Sequence, residues 1–209
     1  MSLLRTAAQF QELDKLRRQF AGLPEKRRVR ALAENQASYS AWLAAKWPGE
    51  ECLAGVAAKI ARAAACESNL DVALLQDLCP EIGWRTVAIA PLTPNHQPLP
   101  PGQSSPALDR FFEWTAEEAF TELHPVEQTA LSQARLLEIA PFERRNIPLA
   151  PAVSCFWLLR SGYLFPIWEY EQPGKFEEYL DAAFALEMQP LVDYLLRGEN
   201  GALRMILKN

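Results

Sequence analysis

The chain has 209 residues, 49% of them hydrophobic and 22% charged, with a formal net charge of −5; this suits one sizeable core with at most an appendage. No window approaches the roughly 18 uninterrupted apolar residues that cross a bilayer, and no basic stretch leads into an apolar leader, so no membrane partner is expected and the expected compartment is the cytoplasm. Cys52, Cys66, Cys79 and Cys155 lack CxxC spacing and the only histidines are His96 and His124, so no metal is expected and the cysteines read as small buried apolar residues.

The apolar positions Leu4, Ala7, Phe10, Leu13, Leu16 and Phe20 recur every three or four residues and predict a helix over 3–20, stopped by Gly22 and Pro24. Between Arg5 and Arg30 stand eight basic and three acidic residues. Both signs are mixed along the helix, as on solvated faces, and no recognition motif accompanies them, so nucleic acid is not an expected partner. A second helix is predicted from Pro24 to Lys46, closed by "WPGE", a third over "ECLAGVAAKIARAAACE" and a short fourth over "NLDVALLQDLC".

The texture changes at Gly83. A β-prone run from Thr86 to Ala90 precedes six prolines between 91 and 106, which predicts a small hairpin and an extended loop. Helical patterning returns in "ALDRFFEWTAEEAF", "PVEQTALSQARLLEIA", "APAVSCFWLLRS" and "KFEEYLDAAFALEMQPLVDYLLR", and Gly162 reads as a glycine ending a helix in the left-handed region. The expected fold class is mainly α, a helical bundle with one small β-hairpin.

Four anchors fall in order: "GWRTVAIAPLTPNHQPLPP", a Phe- and Trp-bearing helix, "LHPVEQTALSQARLLEIAPFERRN" and "LLRSGYLFP". Their order and spacing resemble the core of Fic-domain proteins (the Fido superfamily), which read Tyr-Arg-Thr before a hairpin flap, two prolines after it, HPV(x)nHPFxDGNGRxxR, and a Leu-rich helix ending AGYP. The resemblance covers about 50–166. It implies N-terminal helices over 1–49 packing on or preceding a Fic-like core over 50–190, with a C-terminal helix extension over 191–209.

On that pattern Ala140 stands where the catalytic histidine belongs. Pro141 and Phe142 match, Glu143 fills the variable position, Arg144 replaces the acidic residue, Arg145 the first glycine, Asn146 matches, Ile147 replaces the second glycine and Pro148 the arginine, with Pro151 at the later arginine. Active family members move AMP, or a related phosphate-containing group, from a nucleotide to a Ser, Thr or Tyr hydroxyl. Alanine has no titratable atom to serve as base. Isoleucine and arginine disfavour the positive φ of a phosphate nest, proline lacks an N–H, and Arg144 repels the Mg²⁺ an acidic residue would hold. The resemblance therefore implies no catalytic residue, no cofactor and no metal, and weighs against nucleotide binding.

His124 reads as part of a helix-initiation element with Pro125 and Glu127. His96, on the flap, is a candidate displaced base or a solvated loop residue. Glu143, Arg144 and Arg145 form a candidate anion or carboxylate site or a solvated charged turn, Asn146 is a further binding candidate, and Glu67 is a partial match to the family's inhibitory glutamate, or a helix-end residue. The leading expectation is a degenerate Fic-fold protein, inactive in AMP transfer, that binds an unidentified protein or peptide through the flap, including Val87 and Ile89, and the loop 140–151. The alternative is a transferase of altered nucleotide or phosphate-containing substrate, with His96 or Glu143 as base and Arg144 or Arg145 on the anion. A third is a partner-regulating protein acting through helices within 3–47.

Overall fold

A computed structural model describes residues 2–47, 53–66, 69–78, 80, 83–168 and 174–208. Helices α1 (Ser2–Ala21), α2 (Glu25–Lys46), α3 (Leu53–Ala65), α4 (Val72–Leu78), α5 (Ser104–Thr115), α6 (Glu118–Thr121), α7 (Pro125–Ile139), α8 (Asn146–Arg160), α9 (Lys175–Phe184) and α10 (Gln189–Lys208) follow one another, with a 3-10 turn, Pro101–Gln103, leading into α5. Expectations for "PGE" after Trp47, for Cys52, Glu67 and Cys79 fall outside the described residues.

α8 is the centre. It is apolar nearly all round, from Pro148 to Phe156, and correspondingly buried. α7 and α3 pack on it, α2 covers α3, and α10 closes the other side against α1, α9 and α7. The α2 stripe Ala31, Asn35, Tyr39 and Leu43 shows why: a spacing of four puts all of them on one buried face. Asn35 is the polar member, and its amide pairs both ways with the backbone of Phe165, at 2.9 Å each, fastening the chain after α8 to α2.

α8 ends as its glycine predicts. Gly162 has φ 79°, its N–H donates to Leu159 O at 3.0 Å, and Tyr163 N–H donates to Leu158 O at 3.0 Å, a complete Schellman motif.

Four expectations change. No hairpin forms among the described residues; the only β pairing is an isolated antiparallel bridge between Trp84 and Phe142. The prolines deprive the segment of donors; its remaining bonds go to helices, as Leu99 N–H to Glu138 O and Asn95 N–H to Asp181, or close local turns, as His96 N–H to Thr93 O. Second, α8 begins at Asn146 rather than near Ala150, because Pro148 lies in its first turn, where an N–H has no intrahelical partner to lose, and Pro151 is carried inside. Third, the C-terminal stretch is two helices, divided at Leu186, which adopts φ 68°. Of the described cysteines, Cys155 is buried but Cys66 is exposed, against the expectation for it.

Candidate functional site

The loop 140–145 leaves α7 and enters α8 through two left-handed residues. Ala140 is fully buried, caps α7 and has φ 44°; Arg145, at the cap of α8, has φ 67°. Arginine thus takes the conformation that its side chain disfavours, so the glycine-like turn persists at 145. Such residues each carry about 1–3 kcal/mol of strain, which surrounding bonds must hold. Ile147 needs no such conformation, because it lies in α8.

The holding bonds come from three sources. The Asn146 side chain is buried and donates from Nδ2 to Phe142 O at 2.7 Å, while Phe142 N–H donates to Asn146 Oδ1 at 3.0 Å. Its amide is therefore used by its own turn. Trp84 stacks on Phe142 with ring centroids 5.5 Å apart, and the backbones lock beside them: Arg85 N–H donates to Pro141 O at 2.9 Å and Glu143 N–H to Gly83 O at 3.1 Å. Behind the loop, between Leu75, Phe142, Asn146 and Val153, the cavity is only about 10 Å³. A ligand has no room there.

Arg85 is the third source, and the sequence reading did not single it out. Only 4% exposed, it donates from Nε to Ala140 O at 2.6 Å, and from Nη2 to Leu99 O and Ser104 Oγ at 2.7 Å each and Ile139 O at 3.0 Å. A cation on the last carbonyls of α7 also complements the negative end of its dipole. Burial pushes its pKa down from the ordinary value. The available signal was an arginine within the apolar run "GWRTVAIA".

Of the candidate residues at the loop, Glu143 and Arg144 are exposed and Arg145 half-buried. His96 does not join them. It is 1% exposed, with Nδ1 accepting from Leu92 N–H at 2.9 Å and Nε2 3.1 Å from Leu137 O, and its ring stacks on Phe184 at 4.5 Å. The first bond puts the proton on Nε2, which then donates to the carbonyl. Burial lowers its pKa, partly opposed by the Leu137 bond. It is neither a solvated residue nor a base with a free nitrogen; it fastens the loop to α7 and α9. Next to it Asn95 donates its backbone N–H and Nδ2 to the Asp181 carboxylate at 2.8 and 2.9 Å, bonds that hold that carboxyl below its usual pKa.

The outer part of the segment differs. Val87 is 61% exposed, Ile89 is half-buried, and among the described residues the backbone groups of 86–90 make no hydrogen bond. His124 lies far along the chain at the other end of α7, as its N-cap: Nδ1 accepts from Val126 N–H at 3.2 Å and Glu127 Oε2 accepts from His124 N–H at 3.0 Å, a capping box. Among the described residues no three His, Cys, Asp or Glu side chains are grouped to hold a metal, and no helix is long and apolar enough to cross a membrane.

No family model matches the chain. Over 100 residues, 48% of the chain, it is 30% identical to the protein adenylyltransferase Fic of Drosophila willistoni and equally so to that of Drosophila melanogaster; it spans about a fifth (20%) of the length of these curated relatives. The structure superposes on a Fic domain containing signaling protein from Bacteroides thetaiotaomicron with a TM-score of 0.77 at 18% identity, covering 96% of each chain. It superposes on Fic-1 of C. elegans with a TM-score of 0.75 at 16% identity, over 99% of this chain and 74% of that one. The chain thus has the Fic-like helical fold and is related in sequence, over those 100 residues, to the protein adenylyltransferases Fic.

Proposed function

We propose that this chain is a degenerate Fic-fold protein that transfers no AMP and acts by binding an extended segment of a partner protein along residues 86–90. The observation that carries the reading is the contrast between the fastened residues His96 and Asn146 and the open run 86–90. Both spend their polar groups on the protein itself, His96 with both ring nitrogens and Asn146 with Nδ2 and Oδ1. The run 86–90 keeps its backbone donors and acceptors open, with Val87 exposed. Backbone groups left open in this way are what a peptide strand pairs with, and its alternate side chains supply the selectivity. The inactivity half rests on Ala140, buried without a titratable group at the position where the family resemblance implies a base.

Two measurements separate this from a transferase of altered chemistry. Incubation with labelled nucleoside triphosphates and a proteome extract is expected to leave both chain and extract unlabelled; label that disappears in Glu143→Gln would establish the transferase instead. Selection of extended peptides from a random library is expected to yield binders that Val87→Pro, which deletes one N–H of the open run, no longer retains. Binders unaffected by Val87→Pro would sink the binding mode.

A further inference from the structure

α2 is flanked by two grooves of similar size and different chemistry. On one side a cavity of about 400 Å³ lies between α2, the end of α3 and the chain that follows α8. On the other, one of about 460 Å³ lies between α2 and α10. Both are of small-molecule size. The second holds Arg27 and Arg30, but Glu34 stands in the same wall and takes Arg30 at 2.7 Å, so that charge is answered from within the chain.

Among the described residues no acidic side chain lines the first groove, and its one cation is Arg28. This arginine is half-buried; its Nη1 donates to Ala21 O at 2.8 Å, and it makes no other hydrogen bond or ion pair among the described residues. Because Ala21 lines the groove as well, that bond holds the guanidinium at the groove's edge and leaves Nε and Nη2 for a ligand. Two other polar lining groups are already used, the Asn35 amide on the Phe165 backbone and the Tyr163 hydroxyl on Asp14. The remainder is largely apolar. Ala61, Ala64 and Ala65 line it from α3, and their small side chains leave the space that leucines would fill. Arg28, Leu32 and Gln36 follow at intervals of four on α2, so they share a face, and Gln36 stands about 12 Å from Arg28 at 1.5 Å per residue. The groove is therefore a strip, cationic at one end, apolar along its length and closed by a neutral amide.

We propose that this groove binds an aliphatic monocarboxylate of medium chain length, its carboxylate on Nε and Nη2 of Arg28 and its chain laid past Leu32 and the α3 alanines toward Gln36. One unanswered cation matches one anionic head, and the guanidinium fork fits a carboxylate's two oxygens. The apolar strip stabilises a chain that a bare anion lacks. The groove adjoins the end of α8, whereas the loop 140–145 adjoins its start, 15 residues or about 22 Å away along the helix. The site does not depend on the peptide-binding proposal.

Decanoate, kept below its micellar concentration, is the probe; methyl decanoate supplies the chain without the charge, and acetate the charge without the chain. In methyl-resolved NMR titrations of the full chain, decanoate is expected to give saturable shifts at Leu32, Ala61 and Leu159, and none at Met205 and Ile206 of the second groove. Methyl decanoate is expected to bind about 10-fold or more weakly, the loss of a charge-assisted bond. Decanoate should lose as much on Arg28→Gln, while Arg28→Lys keeps part of the affinity. Ala61→Leu puts a good helix former into the groove, and is expected to abolish the shifts at Leu32 and Leu159 with the melting temperature unchanged. Equal binding of decanoate and its methyl ester, equal shifts in both grooves, acetate binding as tightly as decanoate, or an affinity unchanged in Arg28→Gln or Ala61→Leu would each overturn the site. So would displacement of decanoate by an acidic amphipathic helical peptide of higher affinity, which would assign the groove to a protein partner.

Discussion

At the scale of single residues, the most consequential groups are buried polar atoms, and their cost depends on what meets them. Glu199 is fully buried on α10; Oε1 accepts from Leu164 N–H at 2.9 Å, Oε2 has no partner among the described residues, and burial pushes the carboxyl pKa up to about 8. Between the ordinary carboxylate value and that one the folded chain holds a proton that the unfolded chain releases, so Glu199 makes stability fall as pH rises through this window, by on the order of 5 kcal/mol in total. His96 and His124 act with opposite sign: burial lowers both pKa values, the unfolded chain binds their protons first, and stability falls as pH drops below about 6.5. Glu199→Gln keeps the acceptor for Leu164 and cannot ionise. Urea unfolding across pH 5 to 9 is expected to show the alkaline limb removed in this variant and the acid limb retained; an unchanged alkaline limb would locate the titration elsewhere. Asn146→Ala, by contrast, should cost about 2 kcal/mol at any of these pH values, since it orphans both the N–H and the C=O of Phe142 in a buried turn.

At the scale of elements, one motif occurs twice with different residues. α9 ends with Leu186 N–H on Ala183 O at 3.0 Å and Glu187 N–H on Ala182 O at 2.9 Å, the same pair of bonds that ends α8, but with leucine where α8 has Gly162. Leu186 is 90% exposed, so it buries nothing in return for φ 68°. Leu186→Gly is therefore expected to stabilise by about 1 kcal/mol, and Gly162→Ala to destabilise by a similar amount, read as opposite shifts in urea midpoint. The pair also shows what was legible in the sequence. Gly162 announced its helix end and Pro125 with Glu127 announced the start of α7, because those residues act within a few positions of themselves. Leu186 carries no such mark, so "KFEEYLDAAFALEMQPLVDYLLR" read as unbroken. The hairpin failed for the converse reason: Thr86 to Ala90 has strand propensity, but a strand needs a partner, and its neighbours Gly83 to Arg85 pair with residues 141–143 instead. His96 looked solvated because the carbonyl it bonds belongs to Leu137, 41 residues away.

At the scale of the whole molecule, the order of elements and the position of the loop followed from local pattern and resemblance, while the joints between distant segments did not. One joint ties α1 to the start of α7 and the end of α8, which meet at one end of the central helix pair. The Tyr163 hydroxyl, just after α8, donates to the Asp14 carboxylate on α1 and lies 3.2 Å from Nε2 of His124, which starts α7. Phe10 stacks on the His124 ring at 4.0 Å, and Arg17 donates to Ser161 O at 3.3 Å with its guanidinium 5.3 Å from the centre of the Tyr163 ring. Burial raises the Tyr163 pKa, with the Asp14 charge adding to it, so the phenol stays a donor. These groups act as one unit and their deletions should not add. Asp14→Ala and Tyr163→Phe each remove the same bond, so each is expected to cost about 1–2 kcal/mol and the double variant about 1 kcal/mol less than their sum. Additive costs in a urea double-mutant cycle would mean that the two residues stabilise the fold separately. Native-state hydrogen exchange gives the structural readout: protection of α1 amides from residue 7 onward should fall in Asp14→Ala while that of α8 holds, because α8 is buried between α7 and α3 and needs nothing from α1 to remain so.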